Sequence, residues 1–202
     1  MELKRLGHAC FKINGDGLII YIDPYNLKQA DQADLILITH DHYDHCSIKD
    51  IEKIRTEDTI IIASEGCPVS GEVRHMKPGD KLVVKGIEIE AVSAYNIGKP
   101  FHPKEKKNLG YIMKIEGKRI YHAGDTDLIS EMSTISCDIA LLPVSGTYVM
   151  TAQEAARAAD IIRPSLVAIP MHYGSGVVGT TLDAENFEKN TRINVVFDTY
   201  NC

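Results

Sequence analysis

Residues 35–45 read Leu35-Ile36-Leu37-Ile38-Thr39-His40-Asp41-His42-Tyr43-Asp44-His45. Four apolar residues in succession have the pattern of a strand buried on both faces, as in sheets covered by helices. Two positions further on, Ser47 is a candidate N-cap for a helix over 47–55 in which Ile48, Ile51 and Ile54 recur three apart. Three imidazoles and two carboxylates therefore leave the carboxyl end of a buried strand, the edge at which α/β sheets bind their ligands. Imidazole nitrogen and carboxylate oxygen are donors that divalent transition metals accept. The spacing lets His40 and His42 reach one ion from the same side while Asp44 and His45 face a second. A polar surface loop would need three of the chain's eight histidines to fall at this strand-to-helix junction by chance.

Outward from this stretch the chain is rich in strand patterns, at 10–13, 17–23, 59–64, 81–84, 87–94, 109–115, 118–124, 138–144, 165–171 and 193–197. Asn14-Gly15-Asp16-Gly17 and Glu116-Gly117-Lys118 are turn signals between consecutive runs. Thr151 with Glu154 three residues later has the form of a capping box, opening an Ala-rich helix over 151–162 that Pro164 cannot continue. A weaker helical pattern spans 182–190. Helices alternating with buried strands predict a layered α/β fold, and without linker or repeat we expect one domain over residues 1–202.

The chain's 202 residues carry a formal charge of −6, with 44% hydrophobic and 25% charged residues. That balance is globular, and its acidity argues against nucleic acid as a partner. No apolar run is long enough to span a bilayer, and the opening MELKRLGHACFKI lacks the basic-then-apolar order of a signal peptide, so the expectation is a cytoplasmic protein without a membrane partner. Five cysteines without a CxxC pair are expected as free thiols in a reducing compartment, Cys46 among them as a buried small residue beside the histidine cluster.

The pattern H-x-H-x-D-H after an apolar strand resembles the metallo-β-lactamase-fold hydrolase superfamily. Gly7-His8-Ala9-Cys10-Phe11 is similar to the opening of its branch of L-ascorbate-6-phosphate lactonase-like proteins. Asp23-Pro24, Gly124-Asp125-Thr126 and Pro170-Met171-His172-Tyr173-Gly174 match later motifs in the same order. The resemblance implies a single-domain, four-layer αβ/βα sandwich. It implies a first metal held by His40, His42 and a third histidine, a second held by Asp44, His45 and His172, and Asp125 between them. Two divalent ions roughly 3.5 to 4 Å apart lower the pKa of a bridging water to give a hydroxide nucleophile. The expected activity is hydrolysis of a small-molecule ester, lactone, amide or phosphodiester. Zinc is the first expectation, with manganese or iron compatible with the same donors.

His75, His102 and His122 compete for the third histidine. We choose His102, which sits in the polar stretch 96–108, long enough to reach a site. His122, the next candidate, lies three residues before Asp125 in a strand pattern, where regular alternation turns it away from that carboxylate. Asp44, His8 and Tyr148 are the candidates for the chemistry, His8 from the resemblance and Tyr148 from its place after a strand; Tyr173 could equally touch substrate. Asp23 is expected to orient a ligand, Asp41 to face solvent, Asp127 to begin a helix, and Lys104 to Lys107 to form a solvated loop. Three other readings stand beside hydrolysis of a small molecule: a metal-dependent phosphodiesterase or nuclease, a non-hydrolytic di-iron redox protein, and a metal-binding sensor. Retention of His42 and the absence of an appended flavin domain argue against redox.

Overall fold

Leu35 and Leu37 leave one face of strand β4 (Leu35–Ile38) and Ile36 and Ile38 leave the other, and all four are fully buried in the computed structural model, which describes residues 1–201. The first pair joins the main core between two sheets; the second joins a smaller core under helix α1 (Ile48–Ile54) with Tyr21, Ile51, Ile54 and Ile61. The doubly buried reading of this strand thus has a physical basis in two distinct cores.

The remaining strands are β1 (Glu2–Gly7), β2 (Cys10–Gly15), β3 (Leu18–Ile22), β5 (Ile60–Ser64), β6 (Arg74–Met76), β7 (Lys81–Val84), β8 (Ile87–Ser93), β9 (Leu109–Ile115), β10 (Lys118–His122), β11 (Ile139–Pro143), β12 (Val167–Met171) and β13 (Thr199–Asn201). Helices α2 (Ala152–Ile162) and α3 (Thr181–Asn190) complete the set. One sheet runs β13-β1-β2-β3-β4-β5-β6, and the other β12-β11-β10-β9-β8-β7. The sheets face each other across the main core, with α1 outside the first and α2 and α3 packed along the second. This is the four-layer αβ/βα arrangement. No helix among the described residues is long and apolar enough to cross a membrane.

Pairing is antiparallel in β1-β2-β3 and β7-β8-β9-β10, and parallel from β3 through β6 and from β10 through β12. Hairpins begin each half because their turns are encoded locally. Asp16-Gly17 and Glu116-Gly117 take positive φ at both residues, 50° and 74° in the first and 47° and 75° in the second, the twist-matched hairpin turn. Glu116 N–H donates to Asp16 Oδ2 at 2.8 Å and Asp16 N–H to Glu116 Oε1 at 3.2 Å, tying the two sheets at one end. The carboxyl ends of β3, β4, β10, β11 and β12 gather elsewhere and lead into the loops that carry the functional side chains.

Two features differ from the sequence expectation, and the described cysteines agree with it. The run 193–197 forms only a bridge at Val195 to Ala168; the last strand is β13, paired with β1. Strands β1 and β6 are mostly charged or polar, so no apolar alternation announces them; the sheet partners supply their stability instead. Cys10, Cys46, Cys67 and Cys137 are free and buried, while Cys202 lies outside the described residues.

Helix α2 starts as the capping box requires: Thr151 accepts from Glu154 N–H at 3.2 Å, and Glu154 Oε2 accepts from Thr151 N–H at 2.8 Å. We predict that Thr151→Ala lowers the unfolding free energy by about 1 kcal/mol. Urea unfolding at unchanged m-value checks this; an unmoved midpoint refutes it.

Candidate metal centre

After β4 the chain folds into a tight turn in which the His42 carbonyl accepts from His45 N–H at 3.0 Å and Cys46 N–H at 2.7 Å. The turn spreads the contiguous motif over two groups of donors. His42 Nδ1 lies 3.1 Å from His40 Nε2 and 3.2 Å from His102 Nε2, so three imidazole nitrogens converge. On the other side, ligand atoms of Asp44, His45, His172 and His8 lie within 4.8 Å of one another. Asp125 stands between the groups, its Oδ2 3.0 Å from His172 Nε2, 3.4 Å from His102 Nε2 and 4.0 Å from His40 Nε2, and its Oδ1 3.4 Å from His45 Nε2. All seven expected metal ligands are thus brought together. Asp125 follows Gly124, where φ is +64° and an added Cβ would lie 2.4 Å from the Leu109 carbonyl; only glycine lets this loop pass so close to β9.

The nitrogens remote from the centre are held by neighbours, which fixes ring orientation and tautomer. His45 Nδ1 donates to Asp23 Oδ2 at 2.7 Å, and His40 Nδ1 to Thr39 Oγ1 at 3.0 Å. Thr39 in turn donates to Asp23 through its hydroxyl at 2.7 Å and its N–H at 2.8 Å. His102 Nδ1 donates to Asn96 Oδ1 at 3.1 Å and the Tyr148 carbonyl at 3.2 Å, and His172 Nδ1 sits 2.7 Å from Ser145 Oγ. Asp23 thus holds the ring of His45, one of the expected ligands. Thr39, Asn96 and Ser145 were not singled out in the sequence; Thr39 alone adjoins the motif, and short polar residues at strand ends carry no pattern of their own.

His122 takes another role. It is buried between the sheets, its Nε2 donating to the Ala9 carbonyl at 2.9 Å and its ring meeting Phe11 edge-on at 5.7 Å. His75 in β6 contacts the Ser64 carbonyl at 3.1 Å. Asp127 does not begin a helix. Its carboxylate accepts from Ile97 N–H at 2.8 Å, Asn96 Nδ2 at 3.2 Å and Lys99 Nζ at 2.6 Å, bracing the loop that presents His102. Tyr173 is buried under Arg5, whose guanidinium lies 4.0 Å from the ring centroid, and it is not among the residues lining the cavity over the cluster. Exposed Asp41 pairs with Lys106 at 3.7 Å, and Lys104 pairs with Glu131 at 3.0 Å.

Burial and charge act in opposition across the cluster. Burial, helped by the neighbouring His45, pushes the His40 imidazole well below its ordinary value, leaving it neutral. Burial acts on His45 in the same sense, but Asp125 and Asp23 on either side hold it well above that value. Burial would raise Asp125, yet His172 and His45 bring it well below the usual carboxylate range. His8 Nε2, His45 Nε2 and Asp125 Oδ1 are buried without a hydrogen-bond partner. Orphaned polar atoms are costly in a protein interior, and these three all point into the cluster. A cation would satisfy them together, so the donor set fits divalent metal.

A cavity of about 500 Å³ opens over the cluster. His42, Asp44, His102, Asp125 and His172 reach it, and Tyr43, Phe101, Tyr148 and Val177 form an apolar rim. Tyr148 packs edge-on against Phe101 with ring centroids 4.6 Å apart. His8 is fully buried and reaches the donor cluster rather than this rim.

Residues 2–172 match the family model described as the β-lactamase superfamily domain. A UPF0173 metal-dependent hydrolase of Methanopyrus kandleri is 35% identical over 199 residues, covering 87% of this chain and 85% of the relative. A crystal structure from Parabacteroides distasonis superposes with a TM-score of 0.84 at 33% identity, covering 97% of this chain and 91% of that one. The metallo hydrolase Igni18 of Ignicoccus hospitalis shares the fold, with a TM-score of 0.78 at 24% identity, covering 100% of this chain and 98% of that one.

Proposed function

This chain belongs to the β-lactamase superfamily domain family and is a metal-dependent hydrolase of the metallo-β-lactamase superfamily, and from that premise we propose that it works with a dinuclear centre on a small-molecule ester, lactone, amide or phosphodiester. The observation that carries the reading is Asp125, whose two oxygens face nitrogens of both donor groups. His40, His42 and His102 would hold one ion and Asp44, His45 and His172 the other, with Asp125 shared. Bound divalent ions supply a water of lowered pKa and a Lewis acid toward the scissile carbonyl or phosphoryl oxygen. Zinc suits three-nitrogen and mixed nitrogen-oxygen sets, and hydrolysis needs no redox change.

The protein's own part is orientation and exclusion of water. Asp23, Thr39, Asn96 and Ser145 fix the imidazoles, and the rim of Tyr43, Phe101 and Tyr148 shields one side of a bound molecule. Tyr148, on this rim, would contact a substrate's polar group. A cavity of about 500 Å³ with an apolar rim suits a small molecule rather than a polynucleotide. The acidic net charge, −6, accords with that choice. Four buried free thiols accord with the reducing cytoplasm, and no nucleic-acid or membrane partner is proposed.

Metal analysis of the purified chain, with a panel of lactone, ester, amide and phosphodiester substrates, tests this reading. We expect two ions per chain, turnover abolished by chelation, and loss of at least about 100-fold in Asp44→Ala, since even partners of metal ligands are worth 10–100-fold. Full turnover in Asp44→Ala would refute it.

A further inference from the structure

His8 lies outside both donor sets named so far, yet the fold goes to some length to put it there. The β1–β2 register shifts between Arg5 and Gly7, and His8, just after the Gly7–Cys10 pair is reached, adopts φ 50°, a left-handed conformation that a residue with a Cβ rarely takes. His172 N–H donates to the His8 carbonyl at 2.9 Å, and a bridge joins His8 to Tyr173, so this segment is pinned beside the second donor group. His172 is left-handed too, at φ 64°. The two rings end with centroids 4.1 Å apart, and the His45 ring is 5.3 Å from His8.

The His8 side chain is fully buried, and its Nε2 has no hydrogen-bond partner. The Asp44 Oδ2 is 3.1 Å away but not in hydrogen-bonding alignment. Its other nitrogen is occupied: Nδ1 lies 3.1 Å from Ser175 Oγ. This is the arrangement found at His40, His45, His102 and His172, where Nδ1 is held by a neighbour and Nε2 faces the centre. An imidazole held only to position Asp44 would direct its N–H along the carboxylate lone pair. An orphaned nitrogen among three metal-ligand atoms is instead aimed at an ion.

We propose that His8 is itself a ligand of the second ion through Nε2, with Ser175 as its orienting partner. The second position then draws on His8, Asp44, His45 and His172 as well as the shared Asp125, whereas the first has three imidazoles and Asp125. Five protein donors exceed the four of a tetrahedral zinc site, so the second position accommodates ions of higher coordination number, such as Mn²⁺ or Fe²⁺, alongside Zn²⁺.

The inference rests on the dinuclear reading, and the test separates the two. The whole chain is loaded with Co²⁺, and the paramagnetically shifted, exchangeable imidazole N–H resonances are counted in the wild type and in His8→Gly. Glycine is chosen because it accepts φ 50° without strain and keeps the backbone pairing to Tyr173. We expect one shifted resonance to vanish in His8→Gly, the second ion to bind at least about 10-fold more weakly, and added imidazole to restore both. If the wild type binds two ions and His8→Gly keeps every resonance and both affinities, His8 is no ligand and the dinuclear reading stands. If the wild type binds a single ion, the dinuclear reading and this inference fall together. Where His8→Gly does not fold, His8→Asn read by the same count decides.

Discussion

Asp125→Ala is expected to leave the chain unable to hold two ions and to reduce turnover at limiting metal by about 10²- to 10⁴-fold. Asp125 is the one carboxylate within 4.0 Å of His40, His45, His102 and His172 at once, and it is nearly fully buried. Removing one partner from a buried charge cluster costs about 3–5 kcal/mol, because the opposite charge is left without compensation. That range is about 10²–10⁴ in a binding constant. On the dinuclear reading the uncompensated charges would be the two ions, and in the metal-free chain His45, whose imidazole Asp125 and Asp23 together hold in its charged form. Asp125→Asn keeps the shape and one acceptor oxygen, so it is expected to fall between the wild type and alanine. The measurement is metal content after dialysis against buffered free zinc, paired with kcat/KM in the same buffer. Two retained ions and unimpaired kcat/KM in Asp125→Ala would remove the basis for a shared carboxylate.

How much of this centre could be read beforehand depended on how locally it is encoded. His40, His42, Asp44 and His45 fall within one turn, so their donor chemistry and spacing are visible in the sequence itself. Asp125 and His172 follow the ends of β10 and β12, and the resemblance rather than periodicity joined them to the motif; His102, in the long loop between β8 and β9, was the choice among three histidines on the length of that polar stretch. The neighbours that orient them are less legible still. Ser145 precedes His172 by 27 positions and Asn96 precedes His102 by six, and only the packing of β11 against β12 or the shape of one loop makes each pair adjacent. Asp127 misled for a related reason. Acidic residues favour the first turn of a helix, but this one meets the Ile97 N–H from a loop 30 positions earlier. His8 was visible as part of a motif, yet neither its burial nor its free nitrogen could be inferred before β1, β2 and the segment after β12 were assembled.

Asp23→Ala should be the most damaging substitution outside the donor set, lowering stability by about 3–5 kcal/mol and metal affinity by about 10- to 100-fold. The Asp23 carboxylate is fully buried and accepts from Thr39 N–H at 2.8 Å, Thr39 Oγ1 at 2.7 Å and His45 Nδ1 at 2.7 Å. Alanine abandons all three donors in the interior, where each unmet donor costs about 1–3 kcal/mol. The loss reaches both ions by separate routes. His45 would be free to rotate away from the second ion, and Thr39, which holds Nδ1 of His40, would lose the anchor of its own hydroxyl. Asp23→Asn separates the packing role from the charge. Its amide oxygen can still accept from Thr39 N–H, but its NH₂ group cannot accept from the Thr39 hydroxyl or from His45. We therefore expect the asparagine variant to fold closer to the wild type while binding metal nearly as poorly as alanine. Urea unfolding of the metal-free chains and a zinc titration of the folded ones give the two quantities independently. Wild-type affinity in Asp23→Asn would mean that the ligands are oriented by the motif turn alone, and that the buried carboxylate serves only to hold β3 against β4.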